Sequence, residues 1–571
     1  MRGPNHFRGR ALLAIALTAA TVMSVVAAGS ASASAPRRTG THASGADHGR
    51  IAVVPLDDRP VNMYAPQMTA KVAGFQTDFP PRSILGRFTT PGDGAAVARW
   101  LTAQDRADAY VVSVSMLAYG GLIASRTAAT TAQQAQHNVR AIKKLRAARP
   151  HTPIYVFDTI QRLALTGLGG DKDYSDLVRQ WAILYDQVVN LGQEQYRTQL
   201  DALRAQIPDQ VINTYLATRK RNFDINQQMV REAADGTISY LVLGEDDTAP
   251  YGLERAERVQ LQQLVAQLGV QDRVSIFPGA DEIDALLVAR HVLARLHEHP
   301  TVRVEYSGVP GSAWNPPLED IPFDQNIARH VTALGGTLTS GDHADLNLMV
   351  NTPTGADGNH PADLDRFVDR IGTLLHQSRN VVIDDPLYVN KADHDLVTRM
   401  ETKLDLTQPL SYSGWNTAGN SLGLALAQGA SRWAFLQRSS SGIGMNGLLT
   451  AGTAQADYLL HRIVLDDRWK NDVQPAAYAK AAQLGANPYD LTPAQVPVLQ
   501  NFVRDHLVAA TRDFYRRYFA GHQITLGQRG NHPVLGQVRT LTGVHVQLPW
   551  PRLFETELEP HVTVARAKDP L

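Results

Sequence analysis

The chain has 571 residues, of which 44% are hydrophobic and 19% charged, so it can bury several sizeable cores and does not have the composition of a disordered protein. Lysine and arginine total 55, as do aspartate and glutamate, and without a basic excess the chain is not expected to bind nucleic acid. The absence of cysteine excludes disulfides, cysteine nucleophiles, zinc–thiolate sites and iron–sulfur clusters.

The first 35 residues have the pattern of a secretory signal peptide. Three arginines form a basic start, an apolar stretch covers 11–28, and small residues that offer cleavage sites follow it. An uncleaved membrane anchor is the alternative, although the apolar stretch is only marginally long for a span. We therefore expect a secreted protein, exported by the general route, in which residues 36–49 form a flexible leader and no part stays stably inserted in a membrane.

The first strand is predicted at Ile51–Leu56, an apolar stretch that reads as buried. Asp57, Asp58 and Arg59 follow where that strand ends, and Pro60 can open a helix because proline is tolerated in a first helical turn. Ligands of open α/β sheets bind outside the carboxyl ends of the strands. A polar pocket is therefore expected at this end of the sheet.

Further apolar stretches of strand length alternate with stretches of helical periodicity along the chain. The predicted strands lie at 76–79, 109–116, 154–158, 238–244, 274–277, 302–307, 344–350, 380–383 and 410–412. Strands that alternate with helices imply parallel sheets. A total of about ten strands is more than an eight-stranded barrel needs.

The fold class expected from this count is α/β, with two Rossmann-like lobes of mainly parallel sheet. The first lobe covers 50–300 and contains a helical insertion over about 171–235, and the second covers 301–430. Residues 431–571 are expected to form an α+β extension, helical at first and ending in short antiparallel strands. An elaborated (β/α) barrel is the alternative architecture.

Acidic residues follow several of the predicted strands, which makes them the main functional signal. One acid at a strand end is most simply a helix cap or half of an ion pair, but their repetition favours a shared pocket. Glycoside hydrolysis uses such carboxyl groups in pairs, one to protonate the leaving oxygen and one to attack or activate water. The candidate catalytic residues are Asp57, Asp58, Glu245, Asp246 and Glu282.

Polar and aromatic residues in the same loops are candidates for binding a substrate. Arginines there can clamp an anionic group, and aromatic rings can stack on a sugar, although packing in the core is the simpler role for a ring. The predicted substrate-binding residues are Arg59, Asn62, Ser115, Tyr119, Asp158, Arg162, Asp247, Tyr251, Asp281, Asn351, Asp384, Asp385, Trp415, Asn416 and Asn420.

A divalent metal is a different use for the same acids, since hard cations prefer carboxylate and carbonyl oxygens. Asp57-Asp58 is similar to the paired aspartates of sugar deacetylases, but the His-x-x-x-His partner of that motif is absent. His343, between Asp342 and Asp345, reads as part of a polar turn. No metal ligands are therefore assigned, although a divalent metal stays possible.

Several motifs together resemble a bacterial family catalogued as domain of unknown function 4127. They are Val54–Asn62, Ser115–Gly121, Gly244–Asp247, Pro250–Gly252, Gly279–Glu282, Val350–Pro353, Gly414–Asn420 and Leu548–Trp550. They run in the family's order and cover roughly residues 50–555. The resemblance implies that these stretches belong together, and the family supplies no reaction.

The function expected from these features is that of a secreted carbohydrate-active hydrolase, most simply a glycoside hydrolase that uses strand-end carboxylates in a polar cleft and needs no cofactor. One alternative is a metal-dependent amide or ester hydrolase acting on cell-wall sugars. Another is a non-catalytic protein whose two lobes close on a glycan. In all three the ligand is a carbohydrate.

Overall fold

The computed structural model describes residues 48–166, 174–354, 361–438, 443–530 and 532–567. The expected signal peptide and nearly all of the expected leader lie outside these residues. No helix in the described ranges is both long and apolar enough to cross a membrane.

The first sheet contains six parallel strands in the order β2-β1-β3-β4-β5-β6. They are β1 (Arg50–Val54), β2 (Gln76–Asp78), β3 (Ala109–Ser113), β4 (Ile154–Ile160), β5 (Tyr240–Glu245) and β6 (Val274–Pro278). Every residue of β3, β4, β5 and β6 is buried, as expected for a parallel sheet covered by helices on both faces.

The second sheet contains five parallel strands in the order β11-β10-β9-β7-β8. They are β7 (Thr301–Tyr306), β8 (Thr337–Leu338), β9 (Leu346–Val350), β10 (Val381–Asp384) and β11 (Ser411–Ser413). The two sheets are wound in the same way. In the first sheet β2 lies on one side of β1 and β3 to β6 follow on the other, and in the second sheet β8 lies on one side of β7 and β9 to β11 follow on the other. Each sheet thus has a topological switch point of the doubly wound type.

The expected α/β class with two lobes of parallel sheet is confirmed, and neither sheet closes into a barrel. Several predicted strand boundaries differ from the structure by one or two residues, and the largest difference is at the end of β3. The strand predicted over 109–116 ends at Ser113, because the Ser113 hydroxyl accepts a hydrogen bond from the Met116 amide (3.2 Å) and caps a short helix, Val114–Tyr119. The two-residue strand β8 was not predicted, since it is too short for a periodic signal.

Helices connect the strands and cover the sheets. They are α1 (Pro60–Lys71), α2 (Gly94–Thr102), α3 (Val114–Tyr119), α4 (Leu122–Ser125), α5 (Ala132–Ala148), α6 (Ser175–Tyr185), α7 (Arg197–Arg204), α8 (Asp209–Ala234), α9 (Leu253–Leu268), α10 (Ile283–Leu296), α11 (Phe323–Leu334), α12 (Pro361–His376), α13 (His394–Lys403), α14 (Ala418–Arg438), α15 (Met445–Ile463), α16 (Gln474–Gln483) and α17 (Gln495–Tyr518). Their starts follow local rules: Pro60 occupies the first position of α1, and Thr131 with Gln134 forms a capping box before α5.

Helix α14 joins the two lobes. It packs against α1 and α10 of the first lobe and against β10 and β11 of the second. Its small residues permit this close approach: Ala425, Ala427 and Ala430 are fully buried. One continuous hydrophobic core therefore contains side chains of both sheets and of the C-terminal extension.

The C-terminal extension adds a three-stranded antiparallel sheet. Its strands are β12 (Gln523–Arg529), β13 (His532–Gln547) and β14 (Glu557–Arg566), with β13 in the middle. The sheet packs against α15 and α17. The loop between β13 and β14, residues 548–556, returns to the carboxyl ends of the parallel strands and forms part of the site described next.

Candidate functional site

A cavity of about 400 Å³ opens where the carboxyl ends of the two parallel sheets meet. Loops after β1, β3, β4, β5 and β6 form one side of it, and loops after β7, β10 and β11 form another. The C-terminal extension closes a third side with Tyr489, Trp550, Arg552 and Phe554. This is the position at which doubly wound sheets bind ligands.

Backbone strain is concentrated around this cavity. Seven non-glycine residues among those described have a positive φ, and four of them line the cavity. They are Asp247 (φ 44°), Leu318 (66°), Asn390 (69°) and Asn416 (69°). Left-handed conformations of non-glycine residues cost free energy and cluster at functional sites, so their distribution marks the cavity independently of its shape.

Asp246 and Asp247 lie directly after β5 and are the most available carboxylates of the cavity. Asp246 pairs with Arg126, and Asp247 pairs with Arg162 at 2.9 Å. In each aspartate the second carboxylate oxygen accepts no hydrogen bond from the described residues. The exposed fractions of their side chains are 10% and 32%. Burial and the adjacent charge of Asp246 raise the pKa of Asp247.

Arg59 links the ends of β1 and β6. Its guanidinium donates to Asp57 (2.9 Å from Nε) and to Asp281 (2.6 Å from Nη2), and all three side chains are buried. Asn62 also donates to Asp57 (2.8 Å), and Asn416 donates to Asp281 (2.9 Å). Burial raises the pKa of Asp281 to about 6 despite the arginine. The carboxylates of Asp57 and Asp281 therefore form hydrogen bonds and ion pairs that connect the loops of the cavity wall.

Two asparagines that follow β11, Asn416 in the loop and Asn420 in the first turn of α14, shape the opposite edge of the cavity. The side-chain oxygen of Asn420 accepts from the backbone amides of Ala280 and Asp281, both at 3.0 Å. Asn416, in its left-handed conformation, directs its amide to Asp281 and accepts from the Thr417 amide (2.9 Å). The second lobe thus fixes the loop after β6 from across the cavity.

The motifs that build this cavity belong to one protein family. The model of DUF4127, described as a protein of unknown function, matches residues 51–559, which is most of the chain. The chain belongs to this family. The resemblance found from the sequence motifs is therefore confirmed. No curated protein and no solved structure gave a match.

In this DUF4127 member, the aromatic wall is supplied mainly by the C-terminal extension. The Trp550 ring is buried, with the guanidinium of Arg59 5.2 Å and that of Arg552 4.6 Å from its centre, so it is not free to stack on a ligand. Tyr489 lines the cavity with 52% of its surface exposed. Backbone hydrogen bonds of 2.7 Å, from Leu491 to Pro551 and from Leu553 to Pro488, hold the Tyr489 loop beside the loop of Trp550.

Glu245 contributes to the cavity wall, but its side chain has no exposed surface. The Arg258 Nε lies 2.8 Å from Glu245 Oε1, and the same arginine pairs with Asp320. Burial, followed by the charge of Asp320, raises the pKa of Glu245 well above its usual range. The carboxyl group is thus placed behind the wall, where a ligand does not touch it.

The other three candidate acids at the first sheet's edge are also committed to contacts within the fold. Asp57 holds Arg59, as described above, and Asp58 accepts the Trp550 Nε1–H. Glu282 is fully buried, where it accepts from the Ala280 amide (2.8 Å) and faces His330 Nε2 at 3.2 Å. Of the five candidate catalytic residues, Glu245 and Asp246 line the cavity.

Ser115, Tyr119 and Asp158 are buried near α3, β4 and α8 and do not line the cavity; Ser115 and Asp158 belong to a buried polar network, and the Tyr119 ring packs against the Arg221 guanidinium. Asp158 accepts from the Ser115 hydroxyl (3.1 Å) and from the Asn226 amide (2.8 Å). Burial raises the pKa of Asp158 to about 7. The network joins β4 to α8, the last helix of the helical insertion, and among the described residues the Ser115 hydroxyl contacts Asp158 and Thr159.

A second buried network lies at the end of the second sheet. Asp385 accepts from Asn351 (2.8 Å) and from the Tyr412 hydroxyl (3.0 Å), and Asp384 accepts from Ser421 (2.6 Å). Burial, together with the nearby charge of Asp393, raises the pKa of Asp385 to about 8. None of these residues lines the cavity.

Some of the remaining predicted binding residues line the cavity, and others lie outside it. Arg162, Asp247, Asn416 and Asn420 line the cavity, with Arg59 and Asp281 beside them. Trp415 is buried at a smaller space behind Arg59, and Tyr251 is 39% exposed on the loop before α9 without lining the cavity. Within the described ranges, no three histidine, aspartate or glutamate side chains are grouped in a way that could hold a metal ion.

Sequence reasoning missed Tyr489, Arg552, Leu318 and Asn390, all of which line the cavity. Arg552 lies two residues after Trp550, so the Leu548–Trp550 motif is the sequence signal that could have found it. Tyr489 lies in the connection between α16 and α17, where nothing in the local sequence points to the distant sheets. Leu318 and Asn390 are marked by their backbone conformation, which a sequence does not display.

Proposed function

We propose that this protein is a secreted glycoside hydrolase in which Asp246 and Asp247 are the reacting carboxyl groups. The supporting observation is that the two lie in one cavity, each with one oxygen held by an arginine and the other oxygen free of hydrogen bonds from the described residues. Glycosidases need a pair of carboxyl groups that are positioned but not consumed by structural contacts.

Asp247 is assigned as the general acid. Burial and the charge of Asp246 favour its protonated form, and 32% of its side chain is exposed at the cavity, where the carboxyl group can give its proton to a ligand. Asp246 is assigned as the second carboxylate, the nucleophile or the base that activates water. The Arg126 guanidinium compensates its negative charge at the less exposed position.

The cavity offers further contacts that suit a sugar. The exposed ring of Tyr489 provides a face for stacking, and the side chain of Asn390 makes no hydrogen bond with described residues. Thr166 and Thr417 also line the cavity. A volume of about 400 Å³ accommodates a small saccharide.

The test uses purified chain from about residue 36, incubated with cell-wall and plant polysaccharides and with aryl glycosides. We expect release of reducing ends, and a loss of at least about 100-fold in kcat for Asp246→Asn and for Asp247→Asn. The matched control is Asp505→Asn, which changes an exposed aspartate paired with Arg504 on α17. Its kcat should equal that of the unchanged protein.

Two results would contradict the proposal. Full activity in both asparagine variants, with unchanged circular dichroism, would remove the two aspartates from the mechanism. Loss of activity in EDTA would instead favour the metal-dependent amide or ester hydrolase.

A non-catalytic glycan-binding protein is the second candidate, and one observation favours it. The acidic side chains that line the cavity all pair with an arginine, as a rigid binding site would require. A saccharide that raises the melting temperature without being consumed would support this candidate.

A further inference from the structure

Four charged side chains stand together in the cavity wall: Arg126, Asp246, Asp247 and Arg162. The two ion pairs lie close enough for like charges to interact. Burial and the Arg126 charge lower the pKa of Arg162, although Asp247 opposes the change. The negative charge of Asp246 likewise opposes ionisation of Asp247 and raises its pKa. For Arg162, burial and the repulsion by Arg126 together outweigh the attraction of the two aspartates.

The arginines of the cavity differ in how many of their donors are already used. Arg59 gives Nε, Nη1 and Nη2 to Asp57 and Asp281, and Arg552 makes a two-point contact with Glu555. Arg126 gives only Nη2, to Asp246, and its Nε is buried without a hydrogen-bond partner among the described residues. Because a buried donor without a partner costs free energy, the unused donors of Arg126 call for a hydrogen-bond acceptor from a ligand.

The charge of this group changes when the proposed acid takes up its proton. With Asp247 protonated, Arg126 and Arg162 face the single negative charge of Asp246. Among the described residues, the other donors of Arg162 reach the carbonyl oxygens of Ala164 (3.2 Å) and Leu165 (2.9 Å), which carry no formal charge. The form of the site that is ready to react thus has one uncompensated positive charge in a largely buried place, which is costly unless a ligand neutralises it.

We infer that the substrate is an acidic glycan whose carboxylate or sulfate group lies against Arg126 and Arg162. The inference rests on the proposed function, because it assumes that Asp247 is protonated when substrate binds. Guanidinium groups bind planar and tetrahedral oxyanions through paired, charge-assisted hydrogen bonds, and two neighbouring guanidiniums suit such a group better than a neutral hydroxyl.

The experiment compares substrates that differ only in charge. Aryl glucuronide and galacturonide are tested beside the glucoside and galactoside, with the uronide methyl esters as neutral analogues of the same shape and 6-sulfated glycosides as the second anion. We expect kcat/KM for one anionic series to exceed that of its neutral counterpart by at least about tenfold. The preference should weaken as salt rises.

The variants are Arg162→Gln and Arg126→Gln, which keep hydrogen-bonding capacity but remove the charge. We expect either change to lower the ratio of anionic to neutral kcat/KM by about tenfold or more, and Arg162→Lys to restore part of it. The control is Arg197→Gln, which removes an exposed arginine paired with Glu194 in the helical insertion. It should leave the ratio unchanged.

The outcomes separate this inference from the proposed function. Cleavage of neutral glycosides with no preference for the anionic series would overturn the inference and leave the hydrolase standing. No cleavage, but a rise in melting temperature with oligouronides or sulfated oligosaccharides that Arg162→Gln abolishes, would support the acidic ligand and overturn the hydrolase. Neither cleavage nor a shift in melting temperature would overturn both.

Discussion

The Trp550 indole donates its Nε1–H to Oδ1 of Asp58 over 2.7 Å, and 492 positions separate the two residues in the chain. This contact ties the loop between β13 and β14 to the end of β1, across the side of the cavity. Arg87 supports the same loop by donating to the Pro549 carbonyl (3.2 and 3.1 Å). The position of Arg552 and, through the neighbouring loop, of Tyr489 depends on this anchoring.

Trp550→Phe is therefore expected to lower the free energy of unfolding by about 1–3 kcal/mol, because a buried carboxylate loses its donor. Urea denaturation of the purified chain measures this change. The proposed glycosidase activity should fall as well, since the loop carries part of the cavity wall.

A matched control exists for the loss of the indole. Trp433 is as buried as Trp550, but its Nε1 has no hydrogen-bond partner in the described residues. Trp433→Phe removes the same atoms without breaking a hydrogen bond and should cost less. An equal cost for both changes would show that ring volume, rather than the contact with Asp58, sets the effect.

The pH dependence of stability provides a second prediction, at Asp457. This residue lies on α15, away from the cavity, and its Oδ1 accepts from the Val562 amide of β14 (2.8 Å). Burial raises the pKa of Asp457 to about 7, whereas an exposed aspartate titrates near pH 4. A raised pKa in the folded state contributes stability that is full below about pH 4 and is lost as the pH rises through 7.

Asp457→Asn should remove this contribution from the pH profile. The difference in unfolding free energy between pH 4.5 and pH 8 should shrink by up to about 3–4 kcal/mol, with the variant relatively more stable at pH 8. Urea denaturation at a series of pH values measures it, and Asp505→Asn serves as the exposed control. A variant with the same pH slope as the unchanged protein would contradict the assignment.

A third prediction concerns the close packing of α14 against the loop after β6. A Cβ atom at Gly423 would lie 3.0 Å from the Cβ of Glu282 and closer still to its Cγ. Gly423→Ala should therefore lower the free energy of unfolding by about 2 kcal/mol or more, through overpacking at the junction of the lobes. Thermal unfolding followed by circular dichroism would show it as a lower melting temperature.

Gly444 is the control for this substitution. It precedes α15 with φ −68°, and a Cβ there would meet nothing within 4 Å. Gly444→Ala should change the free energy of unfolding by about 1 kcal/mol or less. Equal effects at the two glycines would mean that Glu282 and its neighbours move aside without cost.

The sequence was sufficient for the parallel sheets because each strand carries its own signal. Apolar β-branched stretches such as 109–113 are recognisable locally, and an acid placed after one of them, such as Asp246, is predicted to reach the sheet edge. What the sequence does not contain is the partner of each acid. Arg59 and Asp281 are 222 positions apart, and only the winding of the sheet brings them together.

Because the fold determines the partner of each acid, acids with similar sequence contexts have different surroundings in the structure. Asp158 and Asp246 have similar local sequence contexts, yet α8 packs its Asn226 against Asp158 away from the cavity, while Asp246 lines the cavity and keeps 10% of its side chain exposed. Tyr489 was missed for the converse reason: its exposure at the cavity depends on the loop of Trp550, not on its neighbours in the chain.

The last prediction uses the strained backbone of Asp247. Its φ of 44° lies in the left-handed region, where a Cβ costs roughly 1–2 kcal/mol and glycine pays no such penalty. Asp247→Gly should therefore be more stable than Asp247→Ala by about 1 kcal/mol, the reverse of the order found where φ is negative. Urea denaturation of the pair measures this difference, and both variants should lack glycosidase activity because both lack the carboxyl group. If the alanine variant were the more stable of the two, the strain would not be real, and Asp247 would lose one of the two observations that single it out; the other, its free carboxylate oxygen beside Asp246, would then have to support the assignment alone.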